Sequence, residues 1–181
     1  VLATTVNATD DPLVAFAREE GIQVYRGSEE DVMARVIGAA EAGGADVIVE
    51  ITGDCPIIDP DIVEQTIQMY LHHDAAYVSN DHIRSYPDGM DTQVFRLETL
   101  KRSAAMTDHP LDHEHVSLHI RNHPELFPKV HLIAPPSLHW PGLGLTLDEE
   151  ADYRLLKKII ETLGQENPLF ALQKIGPPLL E

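Results

Sequence analysis

The chain has 181 residues, 30 of them acidic and 13 basic, for a formal net charge of −17. That length is most simply one domain with a real core, and that charge excludes a nucleic-acid backbone or an anionic membrane surface as a general partner. Cys55 is the single cysteine, so there is no internal disulfide framework, and with neither a membrane-length apolar run nor a signal-peptide pattern a soluble, cytoplasmic protein is expected.

Val1-Leu2-Ala3-Thr4-Thr5 is strand-like from its first residue. A polar turn from Asn7 to Asp11 leads to Pro12, suited to the first turn of a helix with apolar positions at Leu13, Val14, Phe16 and Ala17. Gly21 closes that helix, and Ile22-Gln23-Val24-Tyr25 reads as the next strand. Ser28 is expected to cap a second helix whose buried stripe is Val32, Met33, Val36, Ile37 and Ala40. Gly43-Gly44 ends it. The run Val47-Ile48-Val49-Glu50-Ile51 then reads as a strand buried on both faces. It stops at Thr52-Gly53-Asp54, where Gly53 is expected to allow a sharp turn and Asp54 is left at the carboxyl end of the strand, the edge at which open α/β sheets bind ligands. Asp59-Pro60-Asp61 starts a helix with Ile62, Val63, Ile67, Tyr70 and Leu71 inward. Ala75 to Ser79 and Thr92 to Phe95 are strand candidates, separated by the turn-rich Ser85-Tyr86-Pro87-Asp88-Gly89-Met90-Asp91. Leu97 to Met106 and His113 to Arg121 are expected to be helical, Val130 to Ile133 a strand, Pro135 to Gly144 an irregular loop and Asp148 to Leu163 a closing helix. Strands alternating with helices imply a mostly parallel sheet covered on both faces, a three-layer α/β/α arrangement. Residues 1–163 are read as the domain and 164–181 as a peripheral tail.

Two strand ends carry the same grammar. Asp54 follows the apolar run, and Asp148 follows Thr146-Leu147 just before a helix. Either acid could be a turn or capping aspartate. Together they could instead hold one Mg²⁺, which takes few carboxylates and completes its shell with water and substrate phosphates.

At these residues the chain resembles a known family. Thr52-Gly53-Asp54-Cys55-Pro56-Ile57-Ile58-Asp59-Pro60 is similar to the TGDCPLIDP signature of the SpsF-like spore-coat polysaccharide proteins, within the wider acylneuraminate cytidylyltransferase family. The resemblance extends to the block from Arg26 to Arg35, to Tyr77-Val78-Ser79-Asn80, to Tyr86-Pro87-Asp88-Gly89-Met90-Asp91, to Glu114-His115-Val116 and to Leu145-Thr146-Leu147-Asp148. It implies a nucleotide-diphosphosugar-transferase fold of the glycosyltransferase-A type and transfer of a cytidylyl group from CTP to a small sugar's hydroxyl, with Mg²⁺ and release of pyrophosphate. Asp54 and Asp148 match the family's metal-ligand and catalytic positions. Matching positions around the substrates are Thr52, Arg35, Asn80, Tyr86, Asp88, Gly89, Asp91, Gln93 (where the family often has Glu) and His115. A homodimer is the assembly the family suggests. The family's opening strand and Gly-rich, Arg- or Lys-bearing loop have no counterpart in these residues, so an N-terminally truncated chain or a partner-completed sheet is expected.

Other readings compete. Without a phosphate-gripping loop the chain could be a non-catalytic nucleotide- or sugar-binding domain, and a glycosyltransferase consuming a ready-made nucleotide sugar is a second enzymatic alternative. Asp59-Pro60-Asp61 has the DxD form used by metal-dependent glycosyltransferases, but proline between the acids suits a helix start, with Asp59 as cap. His115, His119 and His123 would share one face of a continuous helix, a spacing that can bind Zn²⁺. Arg35 could reach a phosphate or pair with Asp31 or another acid of its helix. Cys55 reads as a small buried thiol.

Overall fold

The computed structural model describes residues 1–164 and 171–175. In chain order the elements are strand β1 (Leu2–Thr5), helix α1 (Asp11–Glu19), β2 (Val24–Gly27), α2 (Val32–Gly43), β3 (Val47–Glu50), α3 (Pro60–His72), β4 (Tyr77–Ser79), β5 (Gln93–Arg96), α4 (Leu97–Ala104), α5 (Pro110–Glu114), α6 (Leu118–Asn122), β6 (Lys129–His131) and α7 (Glu150–Leu163), with single 3₁₀ turns at Ala8–Asp10, Pro136–Leu138 and Leu172–Lys174. The expected alternation of strand and helix is present, and among the described residues no helix is long and apolar enough to cross a membrane. The chain divides into two compact units, Val1–Ile48 with Phe95–Lys129 and Val49–Val94 with Val130–Glu181.

In the first unit β1 and β2 pair in parallel, Leu2 opposite Val24 through Thr5 opposite Gly27. α1 buries Val14 and Ala17 and leaves Leu13 and Phe16 exposed. Asp31, not Ser28, caps α2, its carboxylate accepting from the Ala34 amide at 2.8 Å, while the Ser28 hydroxyl accepts from the Asp31 amide one turn earlier. Gly44, at φ +65°, closes α2 in the left-handed conformation expected of a C-terminal glycine. The segment expected as one helix over 113–121 is two, α5 and α6. Val116 lies between them at φ 48° and only 3% exposed, so burial of its side chain holds a β-branched residue where the helix cannot continue.

Four strands hydrogen-bond in the order β3-β5-β4-β6. β3 stands at the end of that order, and Val49 and Ile51 are 38% and 51% exposed. The expected burial on both faces therefore fails: side chains alternate between the two faces, and the one that Val49 and Ile51 share is left partly uncovered. The second unit's core gathers Ile57, Ile62, Met90, Leu145, Leu156 and Ile159. α3 turns Ile62, Thr66 and Tyr70 inward, so the fourfold spacing sets the buried face and Leu71, one residue further on, points to solvent. Asp59 caps α3 as expected, accepting from the Asp61 amide at 2.8 Å with Pro60 in the first turn. Its second oxygen accepts from the Leu172 amide at 2.7 Å. Leu172 and Ile175 belong to the core cluster, so this part of the expected peripheral tail is packed; Pro168, Pro177 and Pro178 lie outside the described residues.

Candidate active site

The site in the second unit is built by three stretches of irregular chain. β3 delivers the first, the turn from Thr52 to Asp54, where the Cys55 amide donates to the Thr52 carbonyl at 3.3 Å. Gly53 does not have a positive φ, and a Cβ there would meet nothing within 4 Å, so this turn does not require glycine. The second is the loop 80–92. The third, residues 143–147, joins the other two. Asp88 donates its amide to the Leu143 carbonyl at 3.0 Å, and its carbonyl accepts from Leu145 at 2.9 Å. Two residues on, the Leu147 amide donates to the Asp54 carbonyl at 2.8 Å.

That last bond joins the neighbourhood of Asp148 to Asp54. Both carboxylates are exposed. Oδ2 of Asp148 accepts from the Thr146 hydroxyl at 2.9 Å, and Oδ1 of Asp54 accepts weakly from the Cys55 thiol at 3.6 Å. The capping alternative for Asp148 fails, because α7 is capped by Glu149 in a reciprocal box with Asp152, whose carboxylate takes the amides of both Asp148 and Glu149. Among the described residues neither acid is paired with Lys or Arg. Among the same residues no group of three or more His, Cys, Asp or Glu could hold a metal ion, so a cation here would rely on two carboxylates and outside oxygens. That donor set suits Mg²⁺. Burial, reinforced by the charges of Asp54 and Asp91, pushes the Cys55 thiol up to about 11, which keeps it protonated and unsuited to attack.

Asp91 is the most perturbed carboxyl of the loop. Burial, then the charges of Asp81 and Asp88, raise it to about 6, with Arg84 opposing and Asp54 adding to the rise. Asn80, almost fully buried, spends its amide on the backbone either side of Asp91. Gly89 has φ +94°, and a Cβ there would stand 2.7 Å from the backbone of Leu145, so close approach of the two loops requires glycine.

The remaining expected residues are placed as follows. Thr52 is exposed, with its hydroxyl 3.3 Å from the Cys55 sulfur. Oε1 of Gln93 accepts from the Tyr77 hydroxyl at 2.8 Å. Tyr86 is 4% exposed and packs in the core cluster, so its ring supports the loop from beneath instead of opening onto a ligand. Arg35 and His115 belong to the first unit. The Arg35 guanidinium donates to the carbonyls of Ser28 and Glu29, neither of the partners expected for it. His115 is exposed at the break between α5 and α6, which removes the shared helical face with His119 and His123. His119 is buried against the Ser103 hydroxyl at 3.0 Å, and Nδ1 of His123 meets the His119 carbonyl at 2.9 Å. The stitching by residues 143–147 is not legible in the sequence, since its bonds are made by backbone atoms, whatever side chains the loop carries.

The sequence profile of the family described as Cytidylyltransferase matches residues 1–175. The chain is similar to the spore coat polysaccharide biosynthesis protein SpsF of Bacillus subtilis (strain 168), 34% identical over 178 residues that cover 97% of this chain and 72% of that protein. It is also similar to the uncharacterized protein MJ1063 of Methanocaldococcus jannaschii, 32% identical over 155 residues, which cover 86% of this chain and 63% of the archaeal one. Among solved structures, a cytidylyltransferase from Leptospira borgpetersenii serovar Hardjo-bovis (strain JB197) superposes with a TM-score of 0.82 at 26% identity, covering 95% of this chain and 78% of the other.

Proposed function

The chain belongs to the cytidylyltransferase family of nucleotidyltransferases, and on that premise we propose that it transfers a cytidylyl group from CTP to a sugar hydroxyl, releasing pyrophosphate, in the activation of sugars for polysaccharide or sialic-acid-like products. In this reaction the sugar oxygen forms a bond to the α-phosphorus, the bond from that phosphorus to the β-phosphate bridging oxygen breaks, and the hydroxyl proton leaves to a base or to water. The protein's task is to position the reactants and balance their charge.

Asp54 and Asp148 would hold Mg²⁺. Bound there, the ion would supply charge neutralisation at the phosphate oxygens, which so acidic a chain otherwise repels. Thr146 orients the Asp148 carboxylate through its hydroxyl. Thr52 and Gly53 expose a turn beside Asp54 on which a phosphate can lie. Asp88 and Asp91, on the loop stitched to residues 143–147, face the sugar, and Asp91 accepts the hydrogen bond of its hydroxyl. A carboxyl that titrates near neutrality suits that task, because it can also take a proton as the oxygen reacts.

The observation that supports this reading is the 2.8 Å hydrogen bond from the Leu147 amide to the Asp54 carbonyl, which ties the backbone next to Asp148 to that of Asp54. The test is CTP-dependent pyrophosphate release across a panel of sugars. Asp54→Ala and Asp148→Ala are each expected to lower the rate at least ~100-fold. Undiminished turnover by Asp54→Ala overturns the proposal, and sugar transfer from a ready-made nucleotide sugar without pyrophosphate would identify a glycosyltransferase instead.

A further inference from the structure

Asp91 sits in a position it would not hold unaided. Burial and the charges of Asp81, Asp88 and Asp54 all disfavour its ionised form, and Arg84, paired at 3.4 Å with Asp88, is the one opposing influence on it. Strand β5 begins only at Gln93, so Asp91 lies before the regular run of that strand. A carboxylate in this setting gains by swinging out to water.

The backbone on both sides of Asp91 is restrained by one side chain. Asn80 follows β4 and is 2% exposed. Its Nδ2 donates to the Met90 carbonyl at 2.7 Å, and its Oδ1 accepts from the Thr92 amide at 2.7 Å. The Asn80 amide also donates to the Thr92 carbonyl at 3.4 Å. Met90 and Thr92 are themselves fully buried. The peptide groups before and after Asp91 are thus both fixed by one carboxamide, whose donor and acceptor are matched to a carbonyl on one side and an N–H on the other. Two backbone anchors flanking one residue fix its Cα and the direction of its Cβ. The Asn80 amide is then used on the backbone, so the part expected for it in contacting substrate passes to the residue it holds.

We propose that Asn80 is a positioning residue: by clamping the peptide groups either side of Asp91 it holds that carboxylate where the acceptor sugar's hydroxyl is bound, an assignment that rests on the nucleotidyl-transfer reading above. Asn80 touches neither substrate. Its loss acts through Asp91 alone, so the effect falls on the sugar and not on CTP.

The test uses Asn80→Ala, with Asn80→Ser as a second variant should the first not fold, and two readouts. The first is the titration of the Asp91 carboxyl followed by ¹³C NMR without metal, its signal assigned with Asp91→Asn. The second is the separate KM values for CTP and for the sugar. Release of the clamp is expected to return the Asp91 titration toward the ordinary carboxylate range and to raise the sugar KM at least ~10-fold at unchanged CTP KM. An Asp91 titration identical to the wild type's in a folded variant overturns the clamp, whatever the activity. A shifted titration with an unchanged sugar KM overturns the role assigned to it. A wild-type protein that releases no pyrophosphate with any sugar defeats the underlying reaction instead, and the titration separates that failure from failure of the clamp.

Discussion

Nδ1 of His113 lies 3.0 Å from Oδ1 of Asp31, while Nε2 on the other side of the same ring lies 3.0 Å from the Thr107 carbonyl. Both neighbours are acceptors, and a neutral imidazole has only one N–H, so only the imidazolium satisfies both. The Asp31 hydrogen bond, followed by that of Thr107 and the charges of Asp31 and Asp108, holds the His113 pKa above its ordinary value. Burial pushes Asp31 upward, but the Ala34 amide and His113 outweigh it and the net shift is downward.

The pairing therefore works in a window. A raised histidine contributes fully below its unfolded value of about 6.5 and loses that contribution as pH rises through the folded value. A lowered aspartate contributes above its unfolded value of about 3.9 and loses it as pH falls through the folded value. A double-mutant cycle of His113→Gln and Asp31→Asn, followed by urea denaturation, is expected to give about 1 kcal/mol of coupling near pH 5 to 6, allowing for solvent screening of the half-exposed Asp31. That coupling should decline toward alkaline pH. A coupling that grows from pH 6 to pH 9 would contradict the imidazolium assignment.

Gly89 and Gly53 predict opposite outcomes for one substitution. Gly89→Ala forces a Cβ onto a backbone at φ +94° and to within 2.7 Å of Leu145, so a cost of about 2–3 kcal/mol is expected, together with loss of the loop geometry around Asp88. Gly53→Ala meets open space without a positive φ and should change stability by less than about 0.5 kcal/mol. Thermal denaturation of the two variants side by side checks both, and equal melting temperatures would refute the contrast.

Asp59 is buried, and its two oxygens serve two different segments, the α3 amide of Asp61 and the amide of Leu172. Asp59→Ala removes a helix cap and leaves a buried N–H without an acceptor, for an expected loss of about 2–4 kcal/mol. Asp61→Ala removes only a favourable charge from the first turn, worth about 0.5 kcal/mol. A loss at Asp59 no greater than that at Asp61 would show that the Leu172 bond adds nothing.

Much of the fold was legible because short-range chemistry agreed with the final packing. Asp59-Pro60 starts α3 and Gly44 ends α2 for reasons contained within a few residues. Misreadings arose where two local solutions lie close together or where distant packing decides. Ser28 and Asp31 both bond backbone amides at the start of α2, and only the geometry separates cap from preceding turn. Glu149, not Asp148, caps α7 because Asp152 completes the reciprocal box. No glycine or proline marks the break at Val116, which its burial imposes. At the site, the strand-then-acid grammar holds for Asp54, four residues past the end of β3, and not for Asp148, which follows irregular chain. The surroundings of Tyr86 and Arg35, an apolar core and a pair of loop carbonyls, are not legible in residue type, because they come from long-range packing and from backbone atoms.

Residues 143–147 also set the order in which this region can take shape during translation. A nascent chain that has emerged as far as Asp91 carries the first acid, the clamp and the sugar-facing loop, yet lacks the stretch that ties them to one another. Closure between such widely separated segments is slow relative to helix formation. Variants that delay this late step should leave the earlier segments open to proteases on the ribosome before the finished protein shows any defect.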